Sequence, residues 1–161
     1  MGDDGTVSRP FNVTRGGVAL KLTAEEVAFL KDVPVMLVNL GRDPDHPATQ
    51  RLSIPIYLND PAAEQEYHRW MGPELEQARL ADRSAFASVL DEAATGTTLS
   101  VAEAEAFMRV LEEGRLALGA SVGLDIEDDY ATLGEGEAAA LDYLAYLQGE
   151  LVRILTKLTL R

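Results

Sequence analysis

From Thr23 onward, apolar residues recur at three- and four-residue spacing, and this periodicity commits the chain to a mainly helical fold. Such spacing puts side chains on one face of a helix, and a chain that repeats it over most of its length must bury those faces against one another. The clearest case is the last segment, predicted helical over 137–160, where Leu144, Leu147, Leu151, Leu155 and Leu158 share a face. A helix over 101–122 carries Ala104, Phe107, Met108, Leu111, Leu118 and Val122 on its stripe. The helix before it, from Pro73 to about residue 94, carries Leu75, Ala78, Phe86, Val89 and Leu90.

Capping residues and helix breakers set the expected boundaries. Thr23 followed by Glu26, and Ser100 followed by Glu103, have the spacing of capping boxes, in which each side chain satisfies a backbone N–H of the other. The first helix is expected to bury Val27, Leu30, Pro34, Leu37 and Val38, to kink or split at Pro34, and to end at Gly41. A loop follows over 42–47, then a short helix over 48–58 ended by Pro55. Asp60 caps a helix with Pro61 at its first position. That helix is expected to stop at Met71, because Gly72-Pro73 reads as a break. Residues 93–98 read as a turn, Gly123 as a helix stop, and 125–136 as an acidic connector. Ahead of the helices, two short alternating runs around Arg15-Gly16-Gly17 predict a β-hairpin over 10–22. The expected fold is therefore mainly α: a single-domain bundle of five or six helices over 23–160 with a short N-terminal hairpin. Residues 1–8 are expected to form a flexible tail.

The chain has 161 residues, 47% hydrophobic and 25% charged, which suits one folded domain with a sizeable core. The longest apolar stretch, 33–40, is broken by Pro34 and Asn39 and falls well short of the ~18 residues of a membrane span. Asp3 and Asp4 stand where a signal peptide carries cations, so a cytoplasmic location is expected. There is no cysteine, which excludes disulfides, thiol nucleophiles and thiolate metal sites in this chain.

Charge narrows the partners. The formal net charge is -13, and most of it lies in residues 61–161. Between Leu124 and Asp142 there are seven acids and no base. Such a surface repels nucleic acid, whose non-specific binding needs clustered cations, so direct DNA binding is expected to be weak or partner-dependent. The hairpin cations Arg9, Arg15 and Lys21 are the candidates for touching DNA or an acidic partner.

Two polar residues fall on apolar stripes. Arg115 lies between Leu111 and Leu118, and Asp82 lies four residues before Phe86. Their helices are joined by a short turn and should pack antiparallel. Asp82 and Arg115 are accordingly expected to face each other as a structural ion pair, with Glu112 and Arg79 as substitutes in another register. Tyr67, Trp70 and Met71 cluster on one helix, either as a core anchor or as a partner contact. His68 with Glu64 is an i, i+4 pair, but two ligands make no metal site, and His46 lies far away in a loop. There is no nucleophile elbow, P-loop, dinucleotide fingerprint or zinc-protease motif, so neither an enzyme nor a cofactor is expected.

The order of the pieces adds a family resemblance. An Arg-containing hairpin leads into Leu22-Thr23-Ala24-Glu25-Glu26, and a Pro-containing segment over 52–59 precedes Glu66-Tyr67-His68-Arg69. Then come Leu80-Ala81-Asp82, Arg115-Leu116-Ala117-Leu118-Gly119 and Tyr146-Leu147-Gln148-Gly149-Glu150-Leu151-Val152. This order resembles the AosR-like family of actinobacteria, over about residues 9–158. The resemblance implies a helical cytoplasmic protein that regulates transcription under oxidative stress together with a sigma factor. Its genes commonly neighbour those of the Clp-protease adaptor and a sulfur-carrier cysteine synthase system. The redox switch of that family uses N-terminal cysteines, which this chain lacks, so regulation here would run through protein–protein contact. Three readings follow: a regulatory protein that binds the transcription machinery, an accessory of the Clp proteolytic system, or a small-ligand binder with Asp82 and Arg115 in its pocket. The exposed edge of a short hairpin also needs covering, and a symmetric homodimer is one way to do it.

Overall fold

The computed structural model describes residues 9–43, 45–47, 49, 57, 59–121 and 135–160. The predicted hairpin is present: β1 (Phe11–Thr14) pairs antiparallel with β2 (Gly17–Leu20), Phe11 opposite Leu20 and Thr14 opposite Gly17. A third strand, β3 (Thr97–Leu99), joins the other edge of β2, with Val18 opposite Leu99 and Leu20 opposite Thr97. The sheet order is β1-β2-β3. The stretch read as a turn over 93–98 is thus partly strand. Its three residues carry too short a pattern to register alone, and pairing with β2 supplies what local sequence does not.

Four helices are described among these residues, not five or six. The first, α1 (Ala24–Gly41), starts at Thr23, whose hydroxyl accepts from the Glu26 N–H at 3.1 Å while Glu26 accepts from the Thr23 N–H at 3.0 Å. It runs unbroken past Pro34. Val27, Leu30, Val33 and Leu37 are buried, whereas Val38, expected in the core, is exposed. The second helix, α2 (Pro61–Ala93), is capped by Asp60, whose carboxylate accepts from the Ala63 N–H. It too is continuous, passing straight through Gly72-Pro73. A helix-interior proline costs about 3 kcal/mol. Here the flanks are rich in Ala, Glu, Gln, Leu and Arg, which favour helix on both sides. Gly72 does not take the left-handed conformation that would end the helix; among the described residues only Gly17 and Gly96 have positive φ.

The third helix, α3 (Val101–Ser121), starts with the second capping box: Glu103 accepts from the Ser100 N–H at 3.0 Å and Ser100 accepts from the Glu103 N–H at 3.1 Å. The last, α4 (Glu135–Thr159), buries Leu144, Leu147 and Leu151 as expected, with Leu141 and Ile154 beside them. The tail over 1–8, the Gly123 stop and all of the acidic connector up to residue 134 lie outside the described residues, as does nearly all of the helix expected over 48–58.

The core sits where the inner face of the sheet meets α3. Phe107 of α3 stacks edge-on to Phe11 of β1 at 5.9 Å and lies 4.4 Å from Phe86 of α2. Helix α3 packs on α1, α2, α4 and the sheet. Against α1 the approach is close: a Cβ on Gly114 would stand 2.7 Å from Val33 Cγ1.

The two glycines of the hairpin differ sharply. A Cβ on Gly17 would lie 2.1 Å from the Leu99 carbonyl oxygen, and its φ is +140°. A Cβ on Gly16 would meet only the Thr98 methyl at 3.8 Å. Gly17→Ala is therefore expected to lower stability by about 3 kcal/mol through clash and backbone strain together, while Gly16→Ala changes it by about 0.5 kcal/mol or less. Urea denaturation of both variants checks this, and equal losses would show that β3 does not pair with β2 as described.

Candidate interaction surface

The seam between α2 and α3 carries two ion pairs. Arg109 Nε and Nη2 each donate to Asp82 at 2.8 Å, a two-pronged bond. Arg83 Nη2 donates to Glu113 at 3.0 Å. The antiparallel packing is as expected, but the partner of Asp82 is Arg109, not Arg115. Arg115 is exposed and donates instead to Gln148 of α4 at 2.9 Å. The reason is rotation: at 3.6 residues per turn, six residues carry Arg115 about 240° around the helix from Arg109, from the α2 side to the α4 side. No charged residue is buried among those described, so neither Asp82 nor Arg115 is a buried ion despite its place on an apolar stripe. Asp82 and Arg115 are thus bonded to different partners on different seams of α3.

Three further ties were not anticipated or only half seen. The Tyr143 hydroxyl of α4 donates to Glu26 of α1 at 2.6 Å. Partial burial raises the Glu26 pKa, but the Tyr143 hydroxyl and the Thr23 backbone and side chain outweigh it and hold the carboxyl below its ordinary range. Burial, with Glu26 alongside, pushes the Tyr143 phenol well above its ordinary range. Glu26 was legible as a cap, but nothing in the sequence points to Tyr143 from so far along the chain. Arg9, a hairpin cation, lies 3.8 Å from Glu150 of α4, which Arg153 also contacts at 3.0 Å. Arg15 and Lys21 are exposed.

The largest departure from expectation is in α2. Its buried residues, Phe86, Val89, Leu90 and Ala93, all lie in its last third. With 33 residues it is about 50 Å long, against about 30 Å for the 21 residues of α3, so its first turns project past the helix it packs on. Leu75 and Ala78, expected in the core, are exposed there. Trp70 is 67% exposed. Its indole N–H donates to Glu66 at 2.8 Å and the Arg69 guanidinium lies 5.9 Å from its ring. Tyr67 is half-buried against the Tyr57 ring at 6.2 Å. The Tyr57 N–H donates to Glu64, which also pairs with His68 at 2.9 Å. The Tyr67–Trp70 cluster is thus not a core anchor. It forms a face of aromatic groups, with Met71 beside them also exposed, and the Trp70 indole is tied to Glu66 within the helix.

Among the described residues no three His, Asp or Glu side chains gather to hold a metal, and no helix is long and apolar enough to cross a membrane. Residues 8–155 match the family described as Domain of unknown function (DUF2017). The chain belongs to that family. No curated protein and no solved structure matches this DUF2017 member.

The Tyr143–Glu26 bond gives the DUF2017 chain a pH signature. A carboxyl whose folded pKa is depressed contributes stability above the ordinary glutamate range and loses it as pH falls through the lowered value. Tyr143→Phe is expected to cost about 1–2 kcal/mol at pH 7 and to flatten the fall in stability between about pH 5 and pH 3. Urea midpoints of the wild type and the variant across that range decide it; parallel curves would mean that Glu26 is not held ionised by Tyr143.

Proposed function

We propose that this protein is a regulatory protein without catalysis of its own, which acts by docking on the transcription machinery, a sigma factor above all, in a stress response. The observation that carries the reading is the exposed aromatic face at the start of α2. A tryptophan two-thirds exposed, on the part of a helix that carries no buried residue, is the kind of group that dominates protein interfaces, because a large rigid ring loses much water-exposed area at little entropic cost. The AosR-like resemblance supplies the identity of the partner. Without a cysteine, the chain would work by contact rather than by thiol oxidation. The acidic body disfavours DNA, so promoter contact would come through the sigma factor or polymerase.

The test is binding of the purified protein to RNA polymerase holoenzymes, each reconstituted with one sigma factor of the source organism. One or more should bind. Trp70→Ala should weaken binding by about thirty-fold, the usual loss for an interfacial tryptophan, with the helical circular dichroism unchanged. Absence of binding to every holoenzyme, or binding to the Clp adaptor alone, would overturn the reading. Binding that Trp70→Ala leaves intact would move the contact away from α2.

A further inference from the structure

The first turns of α1 and α4 come together where Tyr143 bonds to Glu26, and between them lies a cleft of about 350 Å³. Its floor is apolar. Phe29 and Tyr143 meet edge to face at 5.5 Å, and Ala139 and Ala140 continue the wall. Beside Gly136, at the mouth, the space is open. The rim is acidic. Over residues 22–30 and 136–143 the charged side chains are Glu25, Glu26, Glu137 and Asp142, with no lysine or arginine in either stretch. Helix dipoles account for acids in first turns, and Glu26 is committed to Thr23 and Tyr143. Glu25, which lines the cleft, stays exposed, and Glu137 is exposed one residue along α4 from the lining Gly136.

An apolar floor with acids only at its edge matches one kind of side chain: a long aliphatic stem ending in a cation. The stem covers the rings and methyls while the head stays in water beside the carboxylates, and the ring faces add attraction for the cation. We propose that the α1–α4 cleft docks a basic segment of a protein partner, seating an arginine or lysine along Phe29 and Tyr143 with its charge at Glu25. Acidic and purely apolar segments do not satisfy this rim and floor together. No residue of α2 lines the cleft, so the proposal does not depend on which protein the Trp70 face binds.

The test uses the whole protein and three fluorescein-labelled peptides: one of arginine, leucine and alanine in equal parts, one with glutamate replacing arginine, and one with serine replacing leucine. Anisotropy titrations at low and moderate salt read affinity, and methyl NMR reads whether Ala139 and Ala140 shift. The arginine–leucine peptide should bind and shift both methyls, the glutamate peptide should not bind, and the serine peptide should bind more weakly. Ala139→Arg, at an exposed helical position, should weaken binding about tenfold by putting a like charge at the cleft. Glu25→Gln tests the rim without adding bulk, should weaken binding severalfold, and covers the case in which Ala139→Arg does not fold. Trp70→Ala should leave peptide binding unchanged. The proposal is overturned if the arginine–leucine peptide does not bind, if the serine peptide binds equally well, if the glutamate peptide binds, or if folded cleft variants bind like wild type.

Discussion

Phe107 is where the fold is tied together. Its ring touches Phe11 of the sheet and Phe86 of α2, and it sits on the one helix that every other element leans on. Each aromatic pair adds about 0.5–1.5 kcal/mol beyond the area it buries. Being central has a second consequence. A helix covered on several sides cannot carry large residues all round, and α3 meets this with buried Ala104, Ala117 and Ala120 and with Gly114 against Val33. An extra methyl at Gly114 would have to move a stiff, β-branched side chain that is itself buried in α1.

What was legible in the sequence was local. Both capping boxes join residues three apart, so the chemistry that makes them is complete within one turn, and both bonds form. The hairpin was legible for the same reason. What was not legible depends on distant parts of the chain. Thr97–Leu99 becomes a strand because β2 offers it an edge. Pro34 and Pro73 look like breaks to any local rule, yet each removes a single donor from a helix whose neighbours on both sides favour continuation. The Asp82 partner failed by rotation rather than by level: the packing direction was right, and the side of α3 was wrong. A stripe drawn for one neighbour misplaces the polar residues of a helix that has three helical neighbours.

The same limit governs the candidate surface. Tyr67 and Trp70 were visible as a cluster, but an aromatic cluster reads alike in a core and at an interface. What separates the two is whether another element reaches it, and that is a matter of length. Helix α2 outruns α3 by about 20 Å. The reading of Gly72-Pro73 as a break hid this, because two shorter helices can each fold back onto a core and one long helix cannot.

The charged groups divide along the same line. Those at the seams, Arg109 with Asp82, Arg83 with Glu113, Arg115 with Gln148 and Tyr143 with Glu26, each fix how one helix is turned against the next. The partly exposed ion pairs are worth about 1 kcal/mol or less apiece and the Tyr143–Glu26 bond about 1–2 kcal/mol, so apolar burial carries the stability and the ties select the rotation. The cations of α2 and α3 at these seams are largely engaged with acids of the same protein, and the excess acid is left facing outward, as at the α1–α4 cleft. A partner shifts a protein's state only by binding one arrangement better than another, and a segment seated in the cleft would touch both helix starts where the Tyr143–Glu26 bond and the Phe29–Tyr143 contact tie them, so its binding would depend on how α1 and α4 are turned against each other.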